Sequence, residues 1–411
     1  METDTIINCH IARQPVFNRR KEVFGYELLF RDGNADFFPG IDGDLATAQV
    51  LHNSFLNYGF ENLTNGKPAL INFTENLLLQ DLPLLFPRDK VIVEILETIE
   101  PTEGILDACR RLIRHGFTLA LDDFVFEERY QALVDMAGLI KIDFRAASLE
   151  SIQDALSSMG RTRARLLAEK VETHAEFEQA VAMGFTLFQG YFFSKPETVS
   201  SRDIRANKAS LLAVIAEISG DDCNIENLER HFKSDVSLSV KLLQMVNSAF
   251  YQRVGNITSL RHALSYLGCR DISRLATIIV ISDLAGDKPT ELLRQSLLRA
   301  RFCELLSDHL PVDGDTGTEA FLSGLFANID AILDLPMENI LLQLPLSENI
   351  KTALLPGRSP LGDLLTLFMH YEIGRWDAYE GLLEDLNMTE RGVTGAYLEA
   401  VRWADATLAM L

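Results

Sequence analysis

The sequence has few cysteines, and no two of them stand at metal-ligand spacing. Five cysteines are scattered along 411 residues without a CxxC pair, at Cys9, Cys109, Cys223, Cys269 and Cys303. A disulfide framework needs paired cysteines in an oxidising compartment, and a thiolate zinc site needs clustered ones. The sequence favours neither arrangement and predicts free thiols.

Long apolar runs and positive charge are also lacking. No apolar run approaches the roughly 20 residues of a membrane-spanning helix, and the opening METDTIINCH does not resemble a signal peptide. Acidic residues outnumber basic ones by 59 to 38, for a net charge of −21. Because nonspecific nucleic-acid binding depends on cationic surface, and anionic membranes repel an acidic protein, we expect no nucleic-acid or membrane partner. The short apolar runs and the unsuitable N-terminus lead us to expect a cytoplasmic location. A small anionic ligand stays compatible, since a bound metal ion reverses the field locally.

Short apolar runs alternate with amphipathic stretches over residues 1–200. This alternation is typical of parallel βα units, and their density favours a closed (β/α) barrel of the TIM type over an open sheet. The predicted strands are 69–73, 91–95, 117–121, 139–142, 166–168 and 185–188. The predicted helices are 104–115, 127–136, 149–159 and 174–183.

The pattern changes after Lys195. Residues 196–210 are polar and typical of a connector, and helical periodicity dominates from Leu211 to Leu411. We therefore predict two domains, a barrel over residues 1–200 and an all-α domain over residues 201–411.

Acidic or amide residues stand at the ends of several strand-like runs, at Glu27, Asn72, Glu94, Asp122 and Asp123. The carboxyl ends of barrel strands share one rim, where the chemistry of such barrels takes place. Carboxylate and amide oxygens are preferred ligands of Mg²⁺ and Mn²⁺, so the pattern predicts a divalent-cation site that handles phosphate. Taken singly, each residue could instead cap a helix or shape a turn.

Eight motifs in order make residues 11–196 resemble an EAL domain, the (β/α)-barrel family of cyclic-di-GMP phosphodiesterases and related receptors. The motifs are RQPVF (13–17), ELLFR (27–31), INFT (71–74), VEILE (93–97), LALDDF (119–124), IKID (140–143), AEKVET (168–173) and FQGYFFSKP (188–196). One such motif is weak evidence, whereas the ordered set is specific.

The resemblance implies a role for each matching position and a site for two Mg²⁺ or Mn²⁺ ions. The implied metal ligands are Glu27, Asn72, Glu94 and Asp122, with Asp123 serving the second metal. The implied catalytic residues are Lys141 and Glu169, which orient or activate the attacking water, and Gln189, which helps to hold the water or metal shell of the site. The implied ligand contacts are Gln14 and Arg31, and the implied supporting residues are Glu97 and Glu172. Two cations at such a site can generate hydroxide and neutralise an in-line phosphodiester transition state.

Three departures from the family's pattern concern this site. Leu28 replaces the alanine of EAL beside Glu27, which changes packing and not ligation. The loop over residues 125–129 is shorter than usual and lacks the usual glycines, and Lys170 replaces a glycine next to Glu169. A misplacement of about 1 Å can cost on the order of a hundredfold in rate, so the loop bears on whether the site is active.

Residues 201–411 resemble an HDOD domain, a helical relative of the HD metal-dependent phosphohydrolases, most clearly over residues 234–276. HD enzymes need a His-Asp doublet, and Ala327 and Asn328 stand at the matching positions. A methyl group cannot ligate a cation, so we expect this half to be metal-free, non-enzymatic and a platform for a protein partner. The whole chain resembles the YuxH-like signalling family, and the EAL resemblance also implies a homodimer.

Three functions stay open on the sequence alone. The complete acidic set favours metal-dependent hydrolysis of cyclic-di-GMP to pGpG. The altered loop and the fused helical domain favour a catalytically weak or inactive cyclic-di-GMP receptor that signals through the HDOD domain. A scaffold without nucleotide binding is disfavoured by the retention of Gln14 and Arg31.

Overall fold

Eight strands close into a barrel in the first half of the chain. The computed structural model describes residues 9–32, 63–125, 127–146, 148–159, 162–195, 211–212, 215, 236–247, 257, 259–310 and 316–411. The strands are β1 (Cys9–Asn18), β2 (Val23–Asp32), β3 (Ala69–Phe73), β4 (Val91–Ile95), β5 (Thr118–Leu121), β6 (Leu139–Asp143), β7 (Arg165–Glu169) and β8 (Leu187–Gln189). They pair in chain order, and β8 closes on β1, which confirms the predicted barrel.

The first strand runs against both of its neighbours. β1 pairs antiparallel with β2 and with β8, whereas each pair from β2–β3 to β7–β8 is parallel. Antiparallel strands need only a short turn, and residues 19–22 supply it between β1 and β2. The alternating sequence pattern predicted parallel units and did not indicate this reversed strand.

Five helices follow strands of the barrel; the last four lie where the periodicity predicts them, and the first, of five residues, was not predicted. They are α1 (Glu75–Leu79), α2 (Glu103–Arg114), α3 (Gln131–Met136), α4 (Leu149–Ser158) and α5 (His174–Ala182). Local chemistry sets where they begin, because a hydroxyl at the N-cap accepts from a free backbone N–H of the first turn. Thr102 caps α2 in this way, and Thr173 and Glu176 form a reciprocal capping box at α5.

The side chains inside the barrel form layers, because each strand has a two-residue repeat. Side chains on one face of a strand recur at every second residue. One buried apolar layer consists of Val16, Leu70, Ile92, Ala120, Leu139, Leu167 and Leu187. Two residues nearer the carboxyl ends of β3 to β8, or just past them, stand Asn72, Glu94, Asp122, Lys141, Glu169 and Gln189. The apolar layer thus forms the base of a polar layer at this end of the barrel.

The second half of the described chain is helical. Its helices are α6 (Val236–Val246), α7 (Leu260–Leu284), α8 (Thr290–Leu306), α9 (Thr316–Phe326), α10 (Ile329–Leu333), α11 (Met337–Leu341), α12 (Glu348–Leu354), α13 (Pro360–Glu372), α14 (Trp376–Asp385) and α15 (Glu390–Leu408). Gly268 interrupts α7 with a φ of 82°. Among the described helices, none combines the length and the apolar character needed to cross a bilayer.

Contacts divide the chain into two compact units. The first comprises Met1–Phe193, His370–Gly381 and Thr389–Thr394, and the second comprises Ser194–Met369, Leu382–Met388 and Gly395–Leu411. The domain boundary predicted at residue 200 lies between residues 196 and 210, outside the described residues.

Candidate active site

One buried ammonium group meets four carboxylates in the polar layer. The side chain of Lys141 is 1% exposed. Its Nζ lies 2.6 Å from Asp122 Oδ1, 2.8 Å from Glu94 Oε1, 3.0 Å from Glu169 Oε1 and 3.4 Å from Glu27 Oε2. Four predicted metal-ligating or catalytic carboxylates and the predicted catalytic lysine therefore come together at one point.

One ammonium faces four carboxylates, so charge in this cluster is balanced only in part. The pKa values of its members are shifted as a result. Burial alone would lower the pKa of Lys141, but the four surrounding carboxylates outweigh it and raise that pKa well above its usual value. Burial raises the pKa of Glu94 well above its usual value, and it raises the pKa of Glu169 to about 8, although Lys141 opposes both shifts. The cluster thus favours retention of protons or uptake of further positive charge.

An amide network extends the cluster to β1. The side-chain amide of Gln189 donates to Glu27 Oε2 at 2.6 Å and to Gln14 Oε1 at 2.9 Å. Gly190 follows with a φ of 140°, and a Cβ at this position would stand 2.1 Å from the carbonyl oxygen of Val171. Only glycine tolerates both the angle and the approach, so Gly190 is what allows Gln189 to end β8 at the site.

Buried oxygens in this region lack hydrogen-bond partners within the described part of the chain, at Asn72 Oδ1, Glu94 Oε2, Asp123 Oδ1, Glu169 Oε2 and Gln189 Oε1. Leaving such oxygens unsatisfied is costly, and native proteins generally pair them with protein, water or an ion. By its chemistry this carboxylate and amide set fits Mg²⁺ or Mn²⁺.

The geometry of the cluster is centred on the lysine. Over the described ranges, no group of three or more His, Cys, Asp and Glu side chains is placed to hold a metal ion. The ammonium of Lys141 stands where the carboxylates converge, so it and a cation would draw on the same ligands.

The shortened loop after β5 is held by local contacts. Asp123 adopts a φ of 40°, and the backbone N–H of Phe124 donates to the carbonyl oxygen of Lys141 at 3.0 Å. Further along, Arg129 pairs with Glu100 at 2.8 Å, across to the loop after β4. A cavity of about 190 Å³ beside Asp122 and Asp123 is lined in part by Glu97, one of the predicted supporting residues.

Other predicted residues lie on the outer rim or outside the described residues. Glu172, the second predicted supporting residue, forms an ion pair with Arg145, and its backbone N–H donates to Glu176 Oε2. Arg31 belongs to β2 by its backbone, but its side chain lies outside the described part of the chain.

The structure adds one interaction that sequence reasoning missed. Lys170 forms ion pairs with Asp143 at 2.5 Å and with Asp123 at 3.5 Å. The sequence marked Lys170 as a departure from the family's pattern, but nothing in it paired Lys170 with Asp143. The lysine standing where glycine is usual was the available signal.

The position of the HD doublet in the helical half holds a polar contact. Asn328 precedes α10, and its Oδ1 accepts from Arg299 at 2.7 Å while its amide lies 3.4 Å from Ser296 Oγ. Ala327 and Asn328 thus stand beside an arginine from α8, as part of a buried hydrogen-bonded junction.

Barrel and helical half each correspond to a known domain. The EAL domain model matches residues 65–196, and the HDOD domain model matches residues 207–339. The class that the fold and the polar rim define is therefore an EAL barrel followed by an HDOD domain.

Curated relatives match nearly the whole chain. Cyclic di-GMP phosphodiesterase CdgJ of Vibrio cholerae is 37% identical over 406 residues, covering 98% of this chain and 93% of the relative. YuxH of Bacillus subtilis is 35% identical over 401 residues, covering 96% of this chain and 97% of the relative. The chain belongs to this family of two-domain EAL–HDOD proteins.

Solved EAL structures are similar over part of the chain. A standalone EAL protein of Vibrio cholerae, bound to c-di-GMP, is 26% identical with a TM-score of 0.37 and covers 47% of this chain and 93% of its own. BlrP1 of Klebsiella pneumoniae, in a manganese and c-di-GMP complex, is 22% identical with a TM-score of 0.38. The match covers 46% of this chain and 56% of the BlrP1 chain.

Proposed function

We propose that the barrel hydrolyses cyclic-di-GMP to linear pGpG with Mg²⁺ or Mn²⁺ as cofactor. The observation that carries this proposal is the polar layer, in which Lys141 and four carboxylates converge above an apolar base. The full-length relative named as a cyclic di-GMP phosphodiesterase supports the choice of substrate. The unpaired buried oxygens support the need for a cation.

Each residue has a task that its surroundings support. The donors for the cation are Glu27, Asn72, Glu94, Asp122 and Asp123. When bound, a divalent cation lowers the pKa of water and neutralises charge on a transferring phosphodiester. Glu169, whose pKa is raised by burial to about 8, retains its proton over much of the neutral range, and we assign it to take up a proton from the attacking water once it has ionised. Lys141 holds the carboxylates in place and supplies positive charge close to the phosphate.

Residues on the β1 side of the site orient the ligand. Gln189 bridges Glu27 and Gln14, so the side chain of Gln14 is fixed before a ligand arrives. Such preorganisation reduces the cost of ordering the site on binding. We assign Gln14 and Arg31 to the ligand, and Glu97 and Glu172 to support of the neighbouring loops.

For the helical half we propose a protein-interaction role. The site of the HD doublet is filled by the buried contact between Arg299 and Asn328, which offers no carboxylate or imidazole to a cation. A platform for a protein partner, with homodimerisation through the EAL half, follows from the domain types.

A second candidate is a cyclic-di-GMP receptor that turns over poorly or not at all. The observation in its favour is the lysine-centred geometry, in which no three acidic side chains of the described residues are set to hold a metal ion. In this alternative the nucleotide binds at the barrel rim and the HDOD half transmits the signal.

The deciding experiment is incubation of the purified full chain with cyclic-di-GMP and Mg²⁺ or Mn²⁺, following pGpG by chromatography. Glu27→Ala should abolish product, whereas Glu103→Ala, an exposed carboxylate on α2, should behave as wild type. Product that persists in Glu27→Ala would refute the ligand assignment. Binding by calorimetry without any product would favour the receptor, and the absence of both would refute the two candidates together.

A further inference from the structure

Lys170 occupies a backbone conformation that lysine rarely adopts. It directly follows Glu169 at the end of β7, and its φ is 55°. In the left-handed region a Cβ crowds the following carbonyl oxygen, and glycine, asparagine and aspartate tolerate it best. Strained residues of this kind concentrate where a site depends on them.

The side chain of Lys170 joins two aspartates at the rim. Its Nζ lies 2.5 Å from Asp143 Oδ2 and 3.5 Å from Asp123 Oδ2. Asp143 is itself anchored, because its Oδ1 accepts from the backbone N–H groups of Arg145 and Ala146. The ammonium is therefore held by an anchored carboxylate, at a distance of 3.5 Å from Asp123 Oδ2.

The two carboxylate oxygens of Asp123 have different surroundings. Its Oδ2 faces Lys170, while its buried Oδ1 has no hydrogen-bond partner among the described residues. Asp123 also has a positive φ of 40°. The pair is partly exposed, with 51% of the Lys170 side chain and 41% of the Asp123 side chain accessible. The features that set it apart from an ordinary surface ion pair are the positive φ of both residues and the unsatisfied oxygen of Asp123.

We infer that Lys170 is a positioning residue for Asp123, and that its ammonium supplies the positive charge that a second divalent cation would otherwise supply there. The barrel then takes up one divalent cation in its working state. This inference rests on the proposed function in one respect, the assignment of the acidic set to cation binding. An ammonium beside a carboxylate lowers the affinity of that carboxylate for a further cation, because the like charges repel each other.

Mn²⁺ binding to the full chain tests this without relying on turnover. Free Mn²⁺ is followed by its electron paramagnetic resonance signal during titration, with and without cyclic-di-GMP. The variants are Lys170→Gly, Lys170→Met and Lys170→Arg. Lys170→Met removes the charge at nearly constant bulk, and Lys170→Gly also removes the backbone strain. The matched control is Lys21→Gly, since Lys21 has a φ of 60° but lies beside His174 and the Phe177 ring.

Wild type, Lys170→Arg and Lys21→Gly should bind one Mn²⁺ per chain. Lys170→Gly and Lys170→Met should bind a second ion at least roughly tenfold more tightly than wild type does. If all variants bind equal numbers of ions with equal affinity, if wild type already binds two, or if none binds Mn²⁺, the assignment of Lys170 is overturned.

Activity distinguishes this inference from the proposed function. A variant-dependent second Mn²⁺ without any pGpG would refute hydrolysis while leaving the role of Lys170 intact. Production of pGpG with the same Mn²⁺ dependence in every variant would support hydrolysis and refute the role of Lys170. Where turnover occurs, the Lys170→Met rate should depend on Mn²⁺ with a higher order than the wild-type rate, and Lys170→Arg should restore the wild-type order.

Discussion

At the scale of single residues, Lys141 decides the electrostatics of the barrel. One buried ammonium faces the carboxylates of Glu27, Glu94, Asp122 and Glu169. Burial of a charge is unfavourable unless partners compensate it; the carboxylates compensate the ammonium here, and the ammonium offsets part of their charge. The residue that the family resemblance marks as catalytic is therefore also a structural counter-charge.

Replacing Lys141 by methionine should destabilise the barrel, because it leaves the buried carboxylates without their cation. Removing one partner of a buried ion pair typically costs about 3 to 5 kcal/mol. Hydrogen exchange of β4 to β7, measured in chelator, should show a loss of that order. Lys90→Met is the control, since the ammonium of Lys90 makes an exposed contact with the carbonyl oxygen of Gly66. Equal protection in the two variants would contradict the counter-charge role.

Cys109 offers a test of pH dependence away from the site. It is fully buried on α2, and burial raises the pKa of its thiol to about 11. The unfolded thiol ionises near a pH of about 8.5, so the folded-state pKa is the higher one. The stability that this thiol contributes is complete below about pH 8.5 and is lost as the pH rises toward 11.

Between about pH 8 and 10, wild type should therefore lose about 2 kcal/mol more unfolding free energy than Cys109→Ala. Urea denaturation at each pH, followed by circular dichroism, measures the difference. The two proteins share every other titrating group, so the comparison isolates the thiol. Parallel pH profiles would show that Cys109 ionises as readily in the folded protein as in the unfolded one.

At the scale of elements, the end of β8 depends on one close approach. Gly190 stands against the backbone of Val171, just past the end of β7, and the N–H of Val171 donates to the carbonyl oxygen of Gln189 at 2.9 Å. The register of these two strand ends determines where Gln189 and Glu169 point. A side chain at residue 190 should therefore disturb the site as well as the fold.

Gly190→Ala should destabilise the barrel by about 3 kcal/mol or more, since backbone strain and a steric clash act together. Gly184→Ala is the matched control, because Gly184 has a φ of 97° but no atom within 4 Å of the point where a Cβ would stand. That control should lose about 1 kcal/mol from strain alone. The unfolding free energies of both variants from urea denaturation test this, and equal losses would mean that the backbone yields without cost at residue 190.

At the scale of the whole molecule, a net charge of −21 repels an anionic ligand. Cyclic-di-GMP, the proposed ligand, carries two phosphates, so its attraction to the barrel would come from local groups such as Lys141, Lys170 and the proposed cation. Salt screens exposed charges over a Debye length of about 10 Å at about 0.1 M. The long-range field is therefore weakened by salt more than the local contacts are.

Association of cyclic-di-GMP should accordingly become faster, by roughly two- to fivefold, as KCl is raised from about 10 to 200 mM at constant Mg²⁺. Stopped-flow fluorescence of a labelled nucleotide measures the rate constant. A rate that falls with salt would show that local positive charge, and not the net charge, governs the encounter.

Much of the architecture follows from sequence periodicity. The two-residue step from Leu70 to Asn72 and from Ile92 to Glu94 places an apolar and a polar residue on the same face of each strand. Strand alternation therefore predicts the polar rim directly, and helical spacing predicts the second half. The reversed β1 was not predictable in this way, because a strand's hydrophobic pattern is the same in either direction.

The sequence by itself determined the barrel and the helical half, because periodicity and turn chemistry act over a few neighbouring positions. Periodicity also marked the strand-end oxygens of the rim, whereas Lys141, Glu169 and Gln189 were assigned through the resemblance to EAL domains. Only the tertiary structure decided which carboxylates share Lys141, since Glu27, Glu94 and Asp122 come from different strands. Barrel closure and strand stagger bring them together. The pairing of Lys170 with Asp123 has the same origin, because the two residues follow strands that are separated in the barrel by β6.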